Sequence, residues 1–159
     1  IAGYFFPFSM EANYNNVMYI TNYPAAMCHE LTHLRGYIYE DEANFISFLA
    51  CIQSEDKFFQ YSGYLSVLYY LDNDFYHAVG DGKYWEQPRI LPQVHEDNIF
   101  LKQEDWDRIE EEAVVDTETV NEISDEFTDT VLKANGVEDG MISYSRVVEL
   151  LLWYYSDNN

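Results

Sequence analysis

The pentapeptide His29-Glu30-Leu31-Thr32-His33 constrains the fold of this chain more than any other stretch. Good helix formers surround it: Pro24 suits a first helical turn, Ala25 to Leu34 continue the helix, and Gly36 is a natural C-terminal stop. On such a helix the imidazoles at i and i+4 share one face and lie close enough to hold one ion. Glu30, beside the first His, can face an open coordination position. Ala25, Ala26, Met27, Cys28, Leu31 and Leu34 make the helix apolar on several sides, so the motif is expected to be buried. Two unpartnered His and a Glu are costly there, which weighs against the plainer alternative of an exposed His pair with a surface acid. The expected occupant is Zn2+. The fold must then bring a third protein ligand to His29 and His33 and leave a fourth position for water.

The next acids are Glu40, Asp41 and Glu42. Glu40 lies seven residues beyond His33, about 10 Å further along a continuous helix and too far away to share an ion. Gly36 must therefore turn the chain back. The run EDEANFISFLACIQ, acidic in its first turn and then almost unbrokenly apolar, reads as a second, buried helix. On that helix Glu40 has Asn44 at i+4, a polar group able to support a ligand, whereas Glu42 has Phe45 and Ile46 at those offsets. Glu40 is the expected third ligand, with Asn44 as its supporting partner. Favourable first-turn charge accounts for Asp41 and can account for Glu42.

Composition narrows the class. At 159 residues and 48% hydrophobic content, with 7 Gly and 4 Pro, the chain reads as one globular domain, residues 1–159, rather than a disordered or modular one. Eight Lys and Arg against 29 Asp and Glu give a formal charge of −21, which repels phosphate backbones and anionic lipid surfaces, so nucleic acid is not an expected partner. Glu149 interrupts even the richest apolar stretch, Val147 to Tyr155, leaving no run of about 20 apolar residues to cross a membrane. The reading is a soluble domain that starts abruptly at Ile1, with any targeting segment outside this chain. Cys28 and Cys51 are expected to be buried small hydrophobes rather than a bridge.

Aromatic density from Gly3 to Asn13, broken by Pro7, predicts an edge strand or a strand pair joined at a bend. Further helices are expected at Asp56 to Leu71, Asp74 to Ala78, Pro92 to Ala113, Thr117 to Asn135 and Ser143 to Tyr155, with loops at Gly80 to Gly82, around Gly136 and at Asp139-Gly140. The fold class is thus α+β and predominantly α-helical: a short N-terminal β element next to the HExxH helix and a returning ligand helix, a zincin-like arrangement. The acid-rich stretch Glu96 to Asp129 reads as a solvated face, with a steering field for cationic peptides as the alternative.

Glu40-x-x-x-Asn44 after HExxH resembles the glutamate-zincin pattern, in which a second helix supplies the third ligand. More widely, GYFFPFSMEANYN, HELTHLRG, EDEANFISFLAC, YSGYLSVLYYL and LKANGVEDGMISYSRVVELLL together resemble a bacterial family of membrane-tethered, zinc-peptidase-like domains of unknown function, the DUF3810-like proteins. The resemblance covers nearly the whole chain and rests on His29, Glu30, His33 and the EDEAN element. The acidic stretch near Glu110 to Asp129 and the Cys28 position depart from it. It implies that transmembrane segments precede the domain and hold it on the extracytoplasmic face of a bacterial membrane, which would account for the start at Ile1.

The expected reaction is hydrolysis of a peptide or protein substrate, with His29, His33 and Glu40 holding zinc and Glu30 as general base. An oxyanion donor is also needed. His77, His95, Tyr64, Tyr144 and Arg146 are candidates, Tyr144 and Arg146 favoured because they open the last helix together. Asn13 and Glu11 are candidates for substrate binding beside the N-terminal strand, whose edge could pair with an extended peptide. The rival reading is a non-catalytic binding module, either stapled by a zinc whose fourth ligand is His77 or His95 or built on an inactive peptidase fold.

Overall fold

The computed structural model describes residues 2–6, 8–87, 90–112 and 146–157. The predominantly helical α+β class expected from sequence is what forms. The aromatic N-terminal stretch folds as the strand pair: β1 (Gly3–Phe6) runs antiparallel to β2 (Glu11–Tyr14), with Gly3 opposite Tyr14 and Phe6 opposite Glu11. A 3-10 turn (Ile20–Asn22) leads into α1 (Tyr23–Leu34), with Pro24 in the first helical turn. The hairpin lies against α1 through both strands.

At the C-terminus of α1, Gly36 takes φ +98, a conformation that costs any residue with a Cβ. It lets the N–H groups of Gly36 and Tyr37 donate to the carbonyls of His33 and Thr32, at 2.9 and 3.4 Å, closing the helix with a Schellman-type reversal. The chain returns as α2 (Glu40–Ile52), then continues as α3 (Lys57–Tyr84), whose first turn is capped by the Asp56 carboxylate accepting from the Phe58 N–H at 2.7 Å.

Small polar residues join these three helices. The Ala25 N–H sits in the first turn of α1, where no helical carbonyl can accept it; the Ser62 hydroxyl of α3 does so at 3.1 Å. The Ser47 hydroxyl of α2 donates to the Ala25 carbonyl at 2.7 Å. Gly63 permits the α2–α3 crossing, since a Cβ there would lie 2.6 Å from the Cβ of Cys51. Cys51 is buried, Cys28 half-buried, and both are free thiols. Hydrogen bonding to Cys51 pulls the Cys28 thiol down to about 7 against the opposing effect of burial.

Three expected boundaries are corrected. Asp56 to Leu71 and Asp74 to Ala78 are one helix, because nothing at Asp72 or Asn73 breaks the backbone; α3 runs on to Tyr84. Gly80 is a single kink, φ 75 and ψ 166, rather than the start of a loop. The stretch from Pro92 to Ala113 forms two helices, α4 (Pro92–Asp97) and α5 (Gln103–Glu112). Between them the backbone binds elsewhere: the carbonyls of Asp97, Ile99 and Phe100 accept from the Thr21 hydroxyl, the Asn22 amide and the Tyr19 N–H at 2.7–2.8 Å. The Tyr61 hydroxyl donates to Asp97 at 2.7 Å. The last helix, α6 (Val147–Asp157), packs on α2 and α3. There Phe48, Val67, Val147, Val148 and Leu151 form the buried core. The helix expected at 117–135, the loops at 136 and 139–140, and the opening residues 143–145 lie outside the described residues.

Candidate metal centre

Because Gly36 reverses the chain, Glu40 arrives beside His29 and His33 at the first residue of α2. The Nε2 atoms of the two His are 3.0 Å apart. Glu40 uses both carboxylate oxygens, Oε2 at 3.1 Å from His29 Nε2 and Oε1 at 3.5 Å from His33 Nε2. Bonds of about 2.0–2.1 Å in a tetrahedral site place neighbouring donors about 3.3 Å apart. The three separations match one face of such a site. This group, whose ligand atoms all lie within 4.8 Å of one another, could hold a metal ion.

The outer contacts fix its chemistry. His33 Nδ1 lies 2.7 Å from the Tyr37 carbonyl. A carbonyl only accepts, so Nδ1 carries the hydrogen and the neutral ring turns its Nε2 lone pair towards His29 and Glu40. Burial works against charge on Glu40, but hydrogen bonds and charges from His29 and His33 outweigh it and hold the carboxyl down at about 2. Burial alone would lower His33; its bonds to Glu40 and the Tyr37 carbonyl, with the Glu30 charge, raise it instead. Electron-rich groups thus converge where only a proton or a cation relieves their repulsion.

Glu30 is 5% exposed, and its Oε2 is buried without a hydrogen-bond partner. Burial raises its carboxyl above the usual range; the charges of His29 and His33 oppose that shift and the charge of Glu40 adds to it. The β1 backbone lies directly on this side chain: a Cβ on Gly3 would stand 2.6 Å from Glu30 Oε1 and 2.5 Å from the Asn13 carbonyl. Asn44 follows Glu40 by one turn, yet its Nδ2 is buried without a partner, so the contacts to the Glu40 carboxylate come from the two His.

The other sequence candidates are dispersed. Asp41 and Glu42 are half-buried on α2, outside the ligand group. Asn13 stands in β2 opposite Tyr4, and Glu11 accepts from Ser9 at the start of the same strand. Tyr64 packs on Phe48 at 5.8 Å, His77 on Tyr76 at 5.5 Å, and exposed His95 sits on α4. Arg146 is exposed just before α6, and Tyr144 lies outside the described residues. Three contributors escaped the sequence reading. A lone Gly in an aromatic strand signals close backbone approach, which Gly3 makes. The Tyr37 carbonyl follows from the Gly36 reversal. Tyr70 of α3, its hydroxyl raised by burial and then by the Glu40 charge, carried no local signal.

A family model described as a protein of unknown function (DUF3810) matches residues 1–152. No curated protein and no solved structure matches the chain.

Proposed function

The chain belongs to the DUF3810 family of proteins of unknown function, and we propose that it is a zinc-dependent peptidase. The observation that carries this reading is the buried, unpartnered carboxylate oxygen of Glu30 beside the His29, His33 and Glu40 donors. Two imidazoles and a carboxylate suit zinc. When bound, zinc supplies Lewis-acid polarisation of a carbonyl and acidifies water towards neutral pH.

The chain's own residues supply the remainder. Glu30, lifted above the ordinary carboxylate range by burial, is poised to accept a proton from water and return it to a leaving amine. The Tyr37 carbonyl, accepting from His33 Nδ1–H, fixes the ring so that its Nε2 lone pair is turned to the other two ligand groups. With β1 on Glu30, a peptide adding to the hairpin edge would run past the general base; Asn13 is the proposed contact for it. Tyr144 and Arg146 remain the proposed oxyanion and substrate groups. A stapling zinc would need a fourth protein ligand. Among the described residues the ligand group has three members, and His77 and His95 are not among them. On its resemblance we place the domain, residues 1–159, at the extracytoplasmic face of a bacterial membrane, tethered through segments outside this chain. Among the described residues no helix is long and apolar enough to cross a membrane.

The test is peptide-library cleavage by the zinc-loaded chain against Glu30→Gln. The amide keeps shape and metal but accepts no proton, so hydrolysis should vanish while zinc content stays. Activity equal to wild type in Glu30→Gln would overturn the assignment.

A further inference from the structure

Between α1 and α2 lies a pair of side chains that the metal reading does not use. The Ser47 hydroxyl bonds the Ala25 carbonyl at 2.7 Å, so the two helices touch at that level. Cys51 follows Ser47 at i+4, and Cys28 follows Ala25 at i+3. These spacings put each cysteine on the contacting face of its helix. There the two thiols meet, the Cys51 S–H donating to the Cys28 sulfur. On the other side of Cys51, α3 closes in at Gly63, where a Cβ would stand 2.6 Å from the Cys51 Cβ. Cys51 is 0% exposed, whereas Cys28 is half-buried and forms the side of the pair nearer to solvent. The segment from Cys28 to Cys51 contains His29, His33 and Glu40, all three members of the ligand group.

We propose that Cys28 and Cys51 are an oxidisable dithiol, closed to a reversible disulfide by a small-molecule disulfide, that staples α1 to α2 around the ligand group. Sulfurs already in hydrogen-bonding contact have only a short distance to close to the ~2.05 Å of an S–S bond. Exchange proceeds in two attacks. The Cys28 thiol gives up its proton and attacks one sulfur of the reagent, forming a mixed disulfide and releasing the first reagent thiol. The Cys51 thiol then gives up its proton and attacks the Cys28 sulfur, closing the protein bond and releasing the second. Two protein thiols lose two electrons, and the reagent's disulfide is reduced to two thiols. The order follows from burial, since Cys28 is the thiol that a reagent meets first. Once closed, the bond ties off the loop that carries His29, His33 and Glu40 and removes freedom from the unfolded chain. The proposal does not rest on the peptidase reading, since neither cysteine has a part in that chemistry.

The chain has two Cys, so intact mass assigns the product directly. The full chain is equilibrated with graded ratios of oxidised to reduced glutathione, once folded and once in denaturing urea, then quenched with acid and alkylated. The expected product is a monomer that has lost two hydrogens, takes no alkyl group and is restored by dithiothreitol. A bond that fits the native helices stabilises them, so folding favours the bond in turn. The folded chain should therefore be half oxidised at a ratio about tenfold or more below the one needed in urea. Folded Cys51→Ser should carry one glutathione on Cys28, whereas folded Cys28→Ser, whose remaining thiol is enclosed, should stay unmodified. Thiols that stay free, two glutathiones on one chain, a disulfide-linked dimer, or a folded ratio equal to or above that in urea would overturn the proposal. The ratio is read on the wild-type chain, so it decides the matter even where a serine variant fails to fold by circular dichroism.

Discussion

At the residue scale the site divides labour between groups that differ little in sequence. Glu30 and Glu40 are both buried acids, yet burial lifts one while the two His hold the other at about 2. Glu40→Ala should therefore abolish tight zinc binding, and Glu42→Ala, outside the ligand group, should change it little; competition with a chromogenic chelator measures the order. In the metal-free chain the depressed Glu40 carboxyl contributes stability that is complete above its ordinary 4.5 and lost as pH falls towards about 2. The raised His33 contributes stability that is complete below its ordinary 6.5 and lost as pH rises through the folded value. Urea midpoints should accordingly peak between these limits, and the deficit of Glu40→Gln against wild type should shrink from pH 5 to pH 2; a constant deficit would contradict the His–Glu contacts. Gly3→Ala places a methyl against Glu30 and the Asn13 carbonyl. It should cost about 1–3 kcal/mol in chemical denaturation and reduce hydrolysis more than zinc binding.

At the element scale, the helix pair that carries the ligands was legible because its punctuation is local. Pro24 starts α1, Gly36 stops it, and the acids of α2 mark its first turn, so the bounds of both helices were nearly right from sequence. The later helices were harder. Asp72 and Asn73 look like a break but lie within a continuous backbone, and the split after Asp97 exists because Tyr19, Thr21 and Asn22 take the carbonyls there, a contact some 76 residues away. No local pattern reports such a partner. Gly36→Ala tests the element that matters most. It strains the left-handed reversal by about 1–2 kcal/mol and moves the Tyr37 carbonyl from His33, so zinc affinity should fall, on the order of the 10- to 100-fold typical of such supporting contacts. Gly82→Ala, where a Cβ meets nothing within 4 Å, should leave affinity unchanged.

At the scale of the whole molecule, three helices held by Ser47, Ser62 and Gly63 form a frame. On it one turn of backbone, from His33 to Glu40, completes the ligand group, and the hairpin closes over Glu30. The chain carries a formal charge of −21, and cationic or neutral peptides should be cleaved faster than acidic ones at low ionic strength, with the preference fading as salt is added. His29, His33 and Glu40, the group that could hold a metal ion, were all legible in the sequence. The hairpin's approach to Glu30 was not legible there, because it depends on how distant segments meet. The most direct test of the central claim is zinc K-edge absorption on the reconstituted chain. It should show one zinc with two imidazoles and the remaining shell entirely oxygen at about 2.0–2.2 Å. No bound zinc, a third imidazole, or a sulfur shell near 2.3 Å would contradict it.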